Sequence, residues 1–131
     1  MKKVITYGTF DLFHYGHLEI LRRAKEVGDY LIVAVSSDEF NQTKDKKCIY
    51  SFKHRMAIVN SIKYVNMVIP ELNWEQKEND IIKNKVDFLV MGDDWKGKFD
   101  HLNNYCKVKY LSRTKGISTS FLKQSIKNFE Y

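Results

Sequence analysis

The chain has 131 residues, 44% of them hydrophobic, and a formal net charge of +6. That size suits one domain with its own core and leaves little for a second, and no run approaches the roughly 20 apolar residues of a membrane span. The positive balance admits a nucleic acid, an anionic membrane surface or a small polyanionic substrate. Met1-Lys2-Lys3 leads straight into an apolar run without a signal-peptide h-region, so a cytoplasmic location is expected. Cys48 and Cys106, far apart and without partners at zinc-site spacing, are expected as reduced thiols.

In chain order, Lys3 to Tyr7 reads as a buried strand and Gly8 as the place where the backbone turns. Gly16-His17 opens a helix whose Leu18, Leu21, Ala24 and Val27 recur at helical spacing, and Gly28 stops it. Tyr30 to Ser36 is a continuous apolar strand, Asp38-Glu39-Phe40 begins a short helical turn, and a lysine-bearing loop follows. Ser51 caps a helix from Phe52 to Ile62 with Phe52, Met56, Val59 and Ile62 on its apolar face, and Met67 to Ile69 is a short strand ended by Pro70. Asn73 and Gln76 have capping-box spacing for a helix from Trp74 to Lys85. Phe88 to Met91 and Val108 to Leu111 are the last strands, and Ser118 to Phe129 is a final helix packed through Leu122, Ile126 and Phe129, with Ile117 as a staple.

Strands and helices alternating at this spacing predict parallel βαβ units. The expected fold is α/β: a single doubly wound Rossmann-like domain over residues 1–131, with a parallel five-stranded sheet and helices on both faces. Ligands of such sheets sit beyond the carboxyl ends of the strands, where the winding reverses. The loop Gly8 to Gly16 and the loop Gly92-Asp93-Asp94-Trp95 leave strand ends in that way, and they face one cleft if their strands are neighbours.

His14 precedes the first turn of its helix and His17 lies within it, so both imidazoles can aim beyond a helix N-terminus whose free N–H groups favour an anion. Lys44 and Lys46 alternate along what should be an extended loop, which would point both ammonium groups at one polyphosphate. Arg113-Thr114-Lys115-Gly116-Ile117-Ser118-Thr119 is a second anion site in pattern: an arginine, a turn glycine, then hydroxyls at a helix start. Asp11 either anchors the first loop or helps to hold Mg²⁺. The lysines form no long basic tail, which favours a compact polyphosphate over a nucleic acid or a membrane. Lys123 and Lys127 read as solvated residues of a helix face.

The string His14-Tyr15-Gly16-His17 resembles the H-x-G-H motif of the nucleotidyltransferase superfamily. Together with M-G-D-D-W-x-G-K-F-D, N-W-x-Q-K, V-I-P-E and R-T-x-G-I-S-T it is similar, across essentially the whole chain, to the glycerol-3-phosphate cytidylyltransferases. The resemblance implies transfer of CMP from CTP to sn-glycerol 3-phosphate, giving CDP-glycerol and pyrophosphate, a precursor of teichoic acids and some capsules, by a homodimer using Mg²⁺ with the nucleotide. It implies that Thr9, His14, His17, Lys44, Lys46, Arg113, Thr114, Ser118 and Thr119 contact the triphosphate region. Phe10, Asp11, Gly16 and Gly92 would shape the nucleotide loops, with Asp94 near the nucleoside. Arg55 and Trp74 would lie on the acceptor side, with Asp38 in support.

Three positions depart from that family's pattern: Lys63 stands where an arginine is typical, Asn66 where an aspartate is, and Lys115 where a glutamate is. Lysine lacks the bidentate fork of a guanidinium, so Lys63 is expected to weaken the hold on the acceptor phosphate. Two alternatives stand beside this one: a related transferase using a polyol phosphate, phosphoethanolamine or a sugar phosphate, and a nucleotide-binding module without catalysis on the same scaffold.

Overall fold

The computed structural model describes residues 1–129. Its elements in order are β1 (Lys3–Gly8), α1 (Tyr15–Val27), β2 (Tyr30–Ser36), α2 (Asp38–Thr43), α3 (Phe52–Asn60), β3 (Met67–Glu71), α4 (Gln76–Lys83), β4 (Phe88–Gly92), β5 (Lys107–Leu111) and α5 (Thr119–Lys127), with 3₁₀ turns at Asp93–Trp95 and Asp100–Asn104. The strands form one parallel sheet in the order β3-β2-β1-β4-β5. Winding runs outward from β1 through β2 to β3, then returns across to β4 and β5, so the reversal lies between β1 and β4. These two pair directly, Val4 with Phe88 and Thr6 with Val90, and the two glycine-marked loops therefore do leave adjacent strand ends.

Side-chain alternation builds a core on each face of the sheet. Val4, Leu31, Val33, Val35 and Val90 pack with Leu21 and Ala24 of α1 and Val59 of α3 on one side. Ile5, Tyr7, Ile32, Ala34, Leu89 and Met91 pack with Ile81 of α4, Phe99 and Leu102 on the other. Layers on both faces explain why β2 reads as an unbroken apolar run rather than an alternating one.

Several local expectations change. Gly8 has no left-handed backbone; the turn is made at Phe10 (φ 57°) and Leu12 (φ 46°). Gly8 is required instead by close approach, because a Cβ there would stand 2.8 Å from the Phe10 ring. Gly28 likewise ends α1 with an extended backbone, and its Cβ would meet the Lys2 carbonyl oxygen at 2.7 Å. Helix α4 starts at Gln76, and Asn73 does not cap it. The Gln76 side chain accepts from the Leu72 and Asn73 N–H groups and donates to the Pro70 carbonyl, fastening the β3–α4 connection rather than a helix start. Helix α5 buries none of its residues, and Ile126 and Phe129 are largely exposed. Both cysteines are free, as expected.

Candidate active site

A cavity of about 530 Å³ opens over the carboxyl ends of the strands, at the winding reversal, and is lined by residues from the loops that follow all five. That volume falls within the range of small-molecule sites, roughly 300–1,000 Å³. His14 and His17 stand in its wall. His14 is the N-cap of α1 and its Nδ1 accepts the Gly16 N–H at 3.0 Å, while His17 Nδ1 accepts the His14 N–H at 3.2 Å. A nitrogen that accepts a backbone N–H carries no proton, so each neutral ring holds its proton on Nε2. The two rings stack with centroids 3.8 Å apart. Burial, and then the neighbouring His14, push the His17 imidazole down to about 3. Burial lowers His14 as well. Both are therefore neutral N–H donors, held side by side.

The support behind them explains the local sequence. Phe10 packs edge-on against the His17 ring at 5.3 Å, and Phe13 contacts it at the same distance. Phe10 reaches this place through a left-handed backbone that a residue with a side chain rarely adopts, the kind of strain that marks constrained sites. Gly16 leaves room for the His14 ring, since a Cβ there would meet Cε1 at 2.8 Å.

Asp11, only 3% exposed, ties three segments of the wall together. Its carboxylate accepts the Ile49 and Tyr50 N–H groups at 2.7 and 2.9 Å, and its carbonyl accepts Thr119 Oγ1 at 2.9 Å. Lys123 adds an ion pair to that carboxylate at 3.4 Å and donates to the Lys47 carbonyl. Lys123 thus lines the cavity and links α5 to the lysine loop, a part not foreseen for it. Despite the burial of Asp11, the N–H donors and Lys123 hold its carboxyl below the usual carboxylate range.

Lys44 and Lys46 both line the cavity, though not along an extended loop. They flank the C-terminal turn of α2, in which the Asp45 N–H bonds the Gln42 carbonyl and the Lys46 N–H the Asn41 carbonyl, with Asp45 at φ 55°. This is a Schellman turn, and it satisfies the last carbonyls of a short helix while placing two lysines on the rim. Arg113, Thr114, Ser118 and Thr119 line the same wall, with Ser118 capping α5 through the Phe121 N–H. Thr9, Phe10, Asp11, Gly16, Gly92, Asp94 and Trp74 complete the expected residues found there.

Three expected residues lie elsewhere. Arg55 is fully buried, and its guanidinium donates to the Tyr50, Thr9 and Ser36 carbonyls and to Asp38 Oδ1 at 2.7 Å. Its planar fork is taken up by backbone carbonyls at the ends of β1 and β2, so it braces the floor and does not line the cavity. Asp38 answers Arg55 and the Phe52 N–H, outside the cavity wall. Lys63 is exposed in the α3–β3 connection, beside the amino-terminal ends of the strands and so at the opposite end of the sheet from the cavity. Asn66, close by, caps that end by accepting the Leu31 N–H and the Lys25 ammonium.

Two wall residues went unassigned in the sequence. Glu71 and Lys77 are each 3% exposed and form an ion pair at 2.8 Å. The available signal was positional: a carboxylate ending a strand of an α/β sheet, followed by Trp74 and Lys77 one helical turn apart. The Lys77 ammonium lies 4.5 Å from the Tyr7 ring, 4.9 Å from Phe99 and 5.3 Å from Trp74.

Residues 5–126 match the cytidylyltransferase-like family. The chain is 60% identical to the glycerol-3-phosphate cytidylyltransferase of Bacillus subtilis (strain 168), over 96% of this chain and 98% of that protein. It is also 60% identical to the enzyme of that name from Staphylococcus aureus (strain NCTC 8325 / PS 47), over 96% of each. Among solved structures, the lipopolysaccharide core biosynthesis protein of Thermoplasma volcanium superposes with a TM-score of 0.76 at 27% identity, covering 88% of this chain and 99% of that one. The stacked histidines at a helix start, the basic rims and the matches over nearly the full length agree: the chain belongs to the cytidylyltransferase family, among the glycerol-3-phosphate cytidylyltransferases.

Proposed function

We propose that the protein transfers CMP from CTP to sn-glycerol 3-phosphate, releasing pyrophosphate and forming CDP-glycerol. An oxygen of the acceptor phosphate attacks the α-phosphorus as the α–β bridging P–O bond breaks, and the electron pair of that bond leaves on pyrophosphate. The acceptor phosphate is already anionic, so no strong general base is needed; the site has to align two anions and disperse the charge that builds on the α-phosphoryl oxygens. The observation that carries this reading is the occupied Nδ1 of both histidines. It leaves two preorganised Nε2–H donors for the α-phosphate, which need no reorientation as charge develops.

Arg113, Thr114, Ser118 and the N-terminus of α5 take the β- and γ-phosphates, with Lys46 across the rim, and Asp94 stands near the cytidine. At the other end, Lys44 and Lys77 receive the acceptor phosphate against the Trp74 wall. Lys44 lies over the Phe40 ring at 4.3 Å, and its pKa is lowered chiefly by burial. A partly desolvated cation in such a place interacts strongly with an arriving anion.

Among the described residues no group of three or more His, Cys, Asp or Glu side chains gathers to hold a metal ion. Both carboxylate oxygens of Asp11 already accept backbone N–H groups. The residues present do not build a protein cage for Mg²⁺; the ion belongs with the triphosphate oxygens of CTP, and no step above is routed through it. Among the same residues no helix is long and apolar enough to cross a membrane. We further propose a homodimer whose product feeds polymer synthesis of the teichoic acid or capsule type. The test is a matrix of nucleoside triphosphates against glycerol phosphate, polyol phosphates, phosphoethanolamine and sugar phosphates, read by pyrophosphate release. CTP with glycerol 3-phosphate should exceed every other pair; a higher kcat/KM for another acceptor overturns the substrate assignment.

A further inference from the structure

The wall that carries Trp74 rests on a chain of buried polar groups. Glu71, the last residue of edge strand β3, accepts from Lys77 Nζ at 2.8 Å through Oε2 and from Ser36 Oγ at 2.7 Å through Oε1. Ser36 Oγ is in turn 3.4 Å from Lys44 Nζ. One carboxylate therefore stands between two ammonium groups, and both lysines line the cavity. Glu71 takes one N–H of Lys77, and the Tyr7, Trp74 and Phe99 rings surround the same ammonium.

A buried negative charge beside an anion site is adverse on Coulombic grounds alone. A lysine on a flexible stem, by contrast, presents a donor in a fixed direction only if something fastens its head. We propose that Glu71 is a positioning residue for the transfer, holding Lys77 directly and Lys44 through Ser36 at the spacing that receives the acceptor phosphate. This rests on the placement of that phosphate between the two lysines.

The two physical effects have opposite signs, which makes the inference testable. If Glu71 acted only as a charge, Glu71→Gln would strengthen acceptor binding. As a positioning group its loss weakens it. Steady-state kinetics on the full chain should show Glu71→Gln raising the KM for glycerol 3-phosphate about tenfold, the size of one charge-assisted hydrogen bond, with the KM for CTP within about twofold of wild type. Glu71→Asp, which keeps the charge, should recover part of the loss. In the double-mutant cycle, Lys77→Met should raise acceptor KM, and adding Glu71→Gln to it should raise it further by less than Glu71→Gln does alone, because only the arm through Ser36 to Lys44 is left to lose.

An unchanged or lowered acceptor KM in Glu71→Gln overturns the inference, as do additive losses in the double variant or equal rises in both KM values. Should Glu71→Gln fail to fold, Ser36→Ala carries the test by breaking the bridge towards Lys44: acceptor KM should rise while that for CTP holds, and a normal acceptor KM overturns the inference. If Lys77→Met itself leaves acceptor KM unchanged, the placement of the acceptor fails, and the inference with it. If Lys77→Met raises it and Glu71→Gln does not, only the role of Glu71 fails.

Discussion

The two nitrogens of His17 do different jobs, and two substitutions separate them. Nδ1 accepts the His14 N–H at 3.2 Å and so caps the helix, whereas Nε2–H is the donor proposed for the α-phosphate. In His17→Asn the amide oxygen stands near the Nδ1 position, so the cap survives and the donor is lost; in His17→Gln the amide nitrogen reaches towards the Nε2 position, so a donor survives and the cap is lost. Loss of one preorganised donor predicts a fall in kcat of roughly 10²–10³ for the asparagine variant. Loss of the cap predicts about 1 kcal/mol of destabilisation for the glutamine variant with a smaller fall in kcat. Titration adds a further readout. The native imidazole is depressed to about 3, below the roughly 6.5 of an unfolded histidine, so the unfolded chain binds the extra proton between those values. The stability contributed by the neutral ring is complete above about pH 6.5 and declines as pH falls from there, by at most about 1.4 kcal/mol per pH unit for one proton. Urea unfolding from pH 7 to 4.5 should show a shallower decline in His17→Asn than in wild type. Identical slopes, or near-normal kcat in the asparagine variant, would refute the assignment of the two nitrogens.

Lys63→Arg and Lys63→Ala should leave acceptor KM within about twofold of wild type, since the residue stands at the far end of the sheet; a larger change in steady-state kinetics would return it to the acceptor site. Gly8→Ala should force the Phe10 ring away from a Cβ placed 2.8 Å from it and so loosen His17, lowering both Tm and kcat, with a stability loss of about 1–3 kcal/mol by thermal unfolding. Lys123→Met should raise the KM for CTP several-fold, on the order of one charged hydrogen bond, by detaching α5 from the Lys47 carbonyl and Asp11, while acceptor KM holds. CTP should be strongly preferred over ATP in pyrophosphate release, and comparable turnover with both would count against cytidine at the Gly92 to Trp95 loop.

Where a pattern reports burial, the sequence was legible. The run Tyr30 to Ser36 and the spacing of Leu21 and Ala24 gave elements that lie within a residue or two of their places, and the two glycine-marked loops do meet at one crevice. Direction was less legible. Arg55 and Lys63 carry the same charge as Lys44, but charge does not disclose whether a side chain faces a loop carbonyl, a strand's amino end or a ligand. The ion pair of Glu71 and Lys77 has no sequence signature beyond position, because its two halves gain meaning only when β3 and α4 bring them under one wall. Lysines that alternate in sequence suggested an extended loop, where a helix terminus with a left-handed Asp45 produced the same convergence by another route.

Arg55 bears on how variant libraries of this enzyme are to be interpreted. Its guanidinium closes the floor beneath the crevice through bonds to the Thr9 and Ser36 carbonyls and to Asp38. Changing it removes working molecules rather than working steps. A screen scored by product formed per cell would rank Arg55 beside the histidines, and the same data divided by the yield of soluble protein would take it out of that company. Residues that touch substrate keep their rank after that division, so the ratio, rather than the raw score, sorts the chemistry of this site from the masonry under it.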